Sequence, residues 1–215
     1  MGRIVGIGAC VMDTLMQVPR YPAEDTKMRA LSCRQAGGGP AATGLVAAAK
    51  LGEDTAFIGV LSEDGAGDFL CRDFEKYGVA TDLIDRKNGY RSFTSVIWLG
   101  QESASRTCVF DKGDLPALRL DDAKRRAIAE ADILMVDGNE LDAAVEAAAV
   151  ARESGTRVLY DCGGLYPNVE RLLALTDIMI PSEEFAMGHT GCDSAEAAAK
   201  KLYETYHPTV VVVTQ

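Results

Sequence analysis

No apolar run in this sequence is long enough to span a bilayer; its longest hydrophobic stretches are strand-length and interrupted. The first residues, Met1-Gly2-Arg3-Ile4-Val5, lead straight into strand-like sequence, so no secretory leader is expected. The six cysteines, Cys10, Cys33, Cys71, Cys108, Cys162 and Cys192, include no C-x-x-C pair and no cluster with histidine at zinc spacing. Thiols scattered in this way are expected in a reducing cytoplasm rather than in a disulfide framework. The only histidines, His189 and His207, are isolated, which argues against a metal site or catalytic triad built on either. Three local signatures are also missing: a G-x-x-x-x-G-K-[ST] phosphate loop, a G-x-S-x-G nucleophile elbow and an H-E-x-x-H zinc motif. Positive charge is scarce, with 22 Lys and Arg against 32 Asp and Glu, a net charge of -10. That balance argues against nucleic acid as a partner of the whole surface, and leaves room for a local phosphate site.

What remains is an ordinary globular composition, 47% hydrophobic and 25% charged over 215 residues. This suits one large α/β domain over 1–215 with a small appendage. The apolar stretch 4–11 predicts a first buried strand. Gly37-Gly38-Gly39-Pro40 then opens a helix over 41–50, with proline near its start and glycine past its end. A strand is expected over 55–61 and a helix over 68–77, where Phe69, Leu70, Phe74 and Tyr77 recur at helical spacing. Residues 91–99 and 105–110 have no helix between them, so they predict an antiparallel pair joined through Gly100, a flap on the larger domain. Beyond Leu120 the pattern becomes regular. Helices are expected over 121–131, 141–154, 169–175 and 194–206, alternating with strands over 133–136, 157–160, 177–180 and 209–214. Such alternation implies a doubly wound, mainly parallel sheet with helices on both faces.

The last stretch, Thr209-Val210-Val211-Val212-Val213-Thr214, is continuous and β-branched, the pattern of a strand buried on both faces. Ligands of doubly wound sheets sit outside the carboxyl ends of such strands, so a site-forming loop is expected to begin at Gln215. The expectation is therefore a fold incomplete at its carboxyl end.

Two features carry ligand chemistry. Asp13 is expected to end the first strand, where a carboxylate can accept hydrogen bonds from adjacent sugar hydroxyls; a turn or capping aspartate is the equally open alternative. Gly37, Gly38 and Gly39 let backbone amides approach a ligand closely, at a helix N-terminus that favours an oxygen-rich or anionic group. They also suit a hinge, or simply a flexible turn. Gly6-Ile7-Gly8 resembles the start of a dinucleotide fingerprint, but the third glycine and the following helix are missing.

The order of motifs resembles the ribokinase-like (PfkB) carbohydrate kinases. The segments that carry the resemblance are 8–13, the glycine-rich stretch 36–52, and 57–67. They are followed by Arg106 to Asp111 as a lid strand, Ala131 to Gly138, Asp161, and Asp177 to Glu184. The resemblance implies ATP-dependent transfer of a phosphate to a sugar hydroxyl with Mg2+, on a doubly wound core with a β lid. The lid strands would lie within about 12–36 and 88–112. It implies that Asp13 binds substrate hydroxyls, that Gly37, Gly38 and Gly39 form the substrate loop, and that Phe93 and Arg106 belong to the closing lid. Asp137 is a candidate second substrate carboxylate, or a turn residue. The family's N-x-x-E pattern, which helps organise magnesium and phosphates, is replaced by Ser182-Glu183-Glu184-Phe185, in which Glu183 or Glu184 would substitute. Thr214 would begin the nucleotide loop.

Ala42 stands where many members have an asparagine. The family's catalytic G-A-G-D is expected beyond Gln215, so the chain alone is expected to be inactive. The pattern around Asp13, Asp137 and Ser182 lies nearer to hexose, keto-sugar or sugar-acid members than to ribokinase. A nucleoside kinase of the same superfamily and a non-catalytic sugar-binding or regulatory protein are the alternatives. Exposed lid residues such as Val96 and Trp98 suit a homodimer through the lid.

Overall fold

Strand β1 (Arg3–Ile7) begins the central sheet of the computed structural model, which describes residues 2–215. It is followed by β2 (Val11–Val18), β3 (Ser32–Gly38), α1 (Pro40–Lys50), β4 (Asp54–Ser62) and α2 (Gly65–Tyr77). Next come β5 (Val79–Ala80), β6 (Ile84–Lys87), β7 (Thr94–Gly100) and β8 (Ser105–Asp111). The second half runs α3 (Asp122–Ala129), β9 (Ile133–Val136), α4 (Leu141–Ser154), β10 (Arg157–Cys162), α5 (Glu170–Leu173) and β11 (Ile178–Pro181). It ends with α6 (Glu183–Thr190), α7 (Ala195–Tyr206) and β12 (Val210–Val211).

The main sheet has the order β12-β11-β10-β9-β1-β4-β5, with β6 also paired to β4, and its strands run parallel. Alternation along the strands decides which face each residue serves. Val5, Leu134 and Val158 stand in register and share a face with Ile7, Val136 and Tyr160. That face packs with Ile128 of α3, Ala147 of α4 and Phe185 of α6. On the opposite face α1 crosses so closely that a Cβ at Gly6 would lie 2.7 Å from Leu45. A second, smaller core forms there, in which Leu45 of α1 and Leu70 of α2 surround Phe57, itself stacked on Phe74 at 5.0 Å.

The remaining strands form a separate four-stranded sheet, β3-β2-β7-β8. Its outer pairs are antiparallel, including the predicted β7–β8 hairpin, and β2 runs parallel to β7.

Several boundaries differ from the sequence pattern. The expected first strand over 4–11 is two strands in two sheets. After Ile7 the chain leaves the main sheet, Ala9 N donates to Asp137, and Val11 pairs with Gly38. Asp13 therefore lies within a lid strand rather than at the end of the first strand. The final run over 209–214 is not buried on both faces. Among the described residues β12 lies at the edge of the sheet, and Val210 and Val212 are 41% and 48% exposed. The helix expected from Asp68 starts at Gly65, because the Asp64 side chain accepts a hydrogen bond from Gly67 N at 2.7 Å. The helix over 169–175 shortens to α5, and Asp177, just before β11, accepts from Val158 N. Helix α6 had no counterpart in the sequence pattern; Ser182 caps it through Phe185 N.

Candidate functional site

The lid sheet stands over the carboxyl ends of the main strands and leaves a cleft of about 690 Å³. Register fixes what faces it. Ala36, Asp13, Ser95 and Phe110 form one rung across the four lid strands, and Arg34, Leu15, Ile97 and Cys108 form the next rung on the same face. Asp13 Oδ1 accepts a hydrogen bond from Ser95 Oγ at 2.5 Å, which fixes the carboxylate while leaving acceptor capacity towards the cleft.

The neighbouring glycines fit this arrangement for distinct reasons. A Cβ at Gly38 would lie 2.1 Å from Asp13 Oδ2. Gly37 faces the other way and donates its amide to Asp73 Oδ2 at 3.3 Å. Gly39 has a φ of 100°, and a Cβ there would lie 2.0 Å from the Ala9 carbonyl. All three line the cleft, with Phe93, Phe110, Thr43, Arg106 and Asp161. The Phe93 and Phe110 rings meet at 5.6 Å. Arg106 is the only cation in the cleft lining, and it makes no ion pair among the described residues.

Asp137 has a different position from the one expected of a substrate carboxylate. It is 2% exposed and does not line the cleft. Its Oδ2 accepts from Ala9 N at 2.9 Å and Ala41 N at 3.1 Å, and its Oδ1 accepts from the Asn139 amide and side chain. It joins the exit from β1, the start of α1 and the end of β9. Gly8 makes this possible, since a Cβ there would lie 2.3 Å from the carboxylate. The strand-end carboxylate that does reach the cleft is Asp161 of β10. Burial, and then the charge of Asp137, raise its affinity for a proton above the usual carboxylate range. Its signal in the sequence was its place at a strand end, which Asp137 shares; only the fold separates the two.

The lid is anchored at Asp64. Besides capping α2, it accepts from Ser92 N at 2.8 Å and Ser92 Oγ at 2.9 Å, just before β7. Arg91 pairs with Asp111 and Asp114 beside it. The letters Gly65-Ala66-Gly67-Asp68 spell G-A-G-D at the start of α2, but they do not line the cleft. Asp68 pairs with Arg86, and the Gly67 amide is occupied by Asp64.

Ser182, Glu183, Glu184 and Thr214 come together at another part of the carboxyl edge. Ser182 bridges Thr214, and Glu183 N donates to the Thr214 carbonyl at 2.9 Å. Glu183 and Glu184 are exposed in the first turn of α6, and none of the four lines the cleft. No group of three or more His, Cys, Asp or Glu among the described residues is placed to hold a metal ion. No helix is long and apolar enough to cross a membrane.

Comparison with known proteins bears on the whole of this arrangement. A bifunctional ribokinase/ribose-5-phosphate isomerase A of Fructilactobacillus sanfranciscensis is 26% identical over 220 residues, covering 99% of this chain and 41% of the relative. An ATP-dependent ribose-1-phosphate kinase of Halopiger xanaduensis is 31% identical over 172 residues, covering 76% of this chain and 55% of the relative. The chain thus spans about half the length of these two relatives. The structure of Arabidopsis thaliana ribokinase complexed with ribose and ATP superimposes with a TM-score of 0.82 at 22% identity, covering 99% of this chain and 71% of that one. The family model described as pfkB family carbohydrate kinase matches residues 1–215. With core, lid and motif order all in agreement, the chain belongs to the pfkB family of carbohydrate kinases.

Proposed function

We propose that this chain supplies the sugar-binding part of an ATP-dependent phosphotransferase acting on a sugar hydroxyl. The observation that carries the proposal is Asp13. It is a carboxylate fixed by Ser95, bared by Gly38, and set in a cleft under a lid sheet. Vicinal hydroxyls donate to its free lone pairs, while Phe93 and Phe110 offer apolar faces to the sugar carbons. Closure of β2, β3, β7 and β8 over the sugar excludes water, with Gly37 and Gly38 as the hinge. The arrangement orients a hydroxyl for in-line attack, and phosphoryl transfer depends mostly on such positioning and charge stabilisation.

The nucleotide is placed along the carboxyl ends of β11 and β12, near Ser182 and Thr214. Relatives named as kinases and the Arabidopsis ribokinase structure complexed with ATP support a nucleotide as the second ligand. Mg2+ commonly takes one or two carboxylates and completes its shell with phosphate oxygens and water; exposed Glu183 or Glu184 fits the carboxylate role. It would neutralise charge developing on the transferred phosphate. By the family resemblance the catalytic base belongs to a G-A-G-D motif, which the cleft lining lacks: Asp13 is engaged in binding, Asp161 stands in no such motif, and the G-A-G-D letters within the chain lie outside the cleft. The 215-residue chain is therefore proposed to bind sugar without turning it over. A homodimer through the lid and a reducing, cytoplasmic setting, in keeping with six free thiols, complete the proposal.

Calorimetric titration with D-ribose and D-fructose tests the reading. Binding to the wild-type chain, weakened about tenfold or more by Asp13→Asn, is expected. Absence of saturable binding by any sugar, neutral or charged, would remove its basis. ADP formation by the 215-residue chain with a bound sugar would instead overturn the assignment of the base.

A further inference from the structure

The cleft is electrically two-ended. Asp13 and Asp161 bring carboxylates to its inner part, whereas its only cation, Arg106, projects from the edge strand β8. Phe110 shares the rung of Asp13, and Arg106 lies four residues away along β8, about 13 Å at the usual strand rise. The cleft continues there into a second hollow, of about 530 Å³, lined by Arg106 and by Arg34 from the opposite lid edge. Both guanidinium groups belong to exposed residues, and neither makes an ion pair among the described residues. Between them lie Leu15 and Leu99, and the polar side chains of Gln17 and Ser32 bond to each other. No carboxylate lines this second hollow.

This is an uncompensated positive pair in a chain of net charge -10. At the foot of the lid, by contrast, Arg91 pairs with Asp111 and Asp114, and Arg86 pairs with Asp68. A neutral polyol would satisfy Asp13 and leave the two guanidinium groups facing only water. A ligand with hydroxyls at one end and an anionic group at the other matches both ends. Arginine is suited to the second task, since its planar fork binds carboxylate or phosphate through two parallel hydrogen bonds.

Resting on the sugar-binding reading above, we propose that the site is built for an anionic sugar, with Arg106 as the specificity-determining residue and Arg34 supporting it. The anionic group, carboxylate or phosphate, lies against the outer lid while the hydroxyl end lies at Asp13.

The test is titration of the 215-residue chain with D-ribose, D-fructose, D-gluconate and D-ribose 5-phosphate, at low and high salt. At least one anionic sugar is expected to bind about tenfold more tightly than either neutral sugar, with the preference shrinking as salt rises. Gluconate alone showing the gain identifies a carboxylate site; the phosphate ester alone identifies a phosphate site. Arg106→Gln and the double variant R34Q/R106Q change exposed side chains and are expected to fold normally. They should erase the preference for the anionic sugar over the neutral ones. Binding of inorganic phosphate alone as tightly as the sugar phosphate would overturn the proposal, because the hydroxyl end would then contribute nothing. Equal affinity for neutral and anionic sugars, with no effect of R106Q, would also overturn it while leaving the sugar-binding reading intact. Failure of all four sugars to bind would remove that reading and this inference with it.

Discussion

At the scale of single residues, two aspartates that look alike in the sequence have opposite work. Asp13 keeps lone pairs free in an open cleft, whereas Asp137 is buried with both oxygens committed. Asp137→Ala would leave the amides of Ala9 and Ala41 buried without their acceptor, at about 1–3 kcal/mol each. A loss of about 2–6 kcal/mol in denaturant-measured stability is therefore expected, whereas Asp13→Asn should stay near wild type. Gly38→Ala belongs with Asp13: its methyl group would displace the carboxylate, so sugar affinity should fall with little change in melting temperature. The glycine-rich stretch was legible in the sequence because three glycines before a proline mark a helix entry where the backbone can take a positive φ and approach its neighbours closely. Which carboxylates line the cleft was not legible. Asp13, Asp137 and Asp161 each follow an apolar run, and only the crossing of the chain between two sheets sorts them. The same crossing explains why Ser95 gave no signal. It meets Asp13 through a parallel pairing of β2 and β7 that spans 82 positions.

At the scale of elements, Asp64 joins helix α2 to the foot of the lid. Burial works against its charge, but the amides of Ser92 and Gly67 and the Ser92 hydroxyl together hold it below the usual carboxylate range. Its ordinary value is 3.8. The unfolded chain therefore takes up the proton first on acidification. The stability contributed by Asp64 is complete above that value and is lost as pH falls through the lower folded one. Asp161 acts in the opposite direction. Its folded affinity for a proton is raised above the same ordinary value, so the native state holds the proton longer as pH rises. Stability is then highest in acid and declines between the unfolded and folded values. Urea denaturation across a pH series should separate the two. Asp64→Asn is expected to flatten the acid-side loss, and Asp161→Asn to remove the decline above about pH 4 and so stabilise the chain at neutrality. Asp64→Ala should also cost about 0.5–2 kcal/mol as a lost helix cap, and should loosen the attachment of β7 to the core.

At the scale of the whole molecule, the doubly wound core was largely legible because helical and strand periods alternate from β9 onward. The four-stranded lid was only half legible, since its β7–β8 hairpin is local and its β2–β7 pairing is not. The lid leaves two uncovered features that bear on assembly. Val96 and Val109 face each other in register on the side away from the cleft, 42% and 67% exposed, and β3 and β8 are both free edges. A second apolar pair, Val210 of β12 and Val212 just beyond it, is similarly exposed. The two rows are not equivalent partners. β12 is two residues long and offers little backbone to pair with, whereas each lid edge is seven residues long. A stable dimer buries about 1,200–2,000 Å² in total, which a broad lid face can approach and a two-residue strand cannot. Sedimentation velocity should therefore show a dimer that becomes monomeric in the V96K/V109K variant and persists in V210K/V212K. Both changes place lysine at exposed positions, so thermal melting should remain near wild type in each. A wild-type monomer, or dissociation caused only by V210K/V212K, would remove the lid from assembly. Its exposed valines would then need another explanation, in closure over the sugar or contact with a different protein.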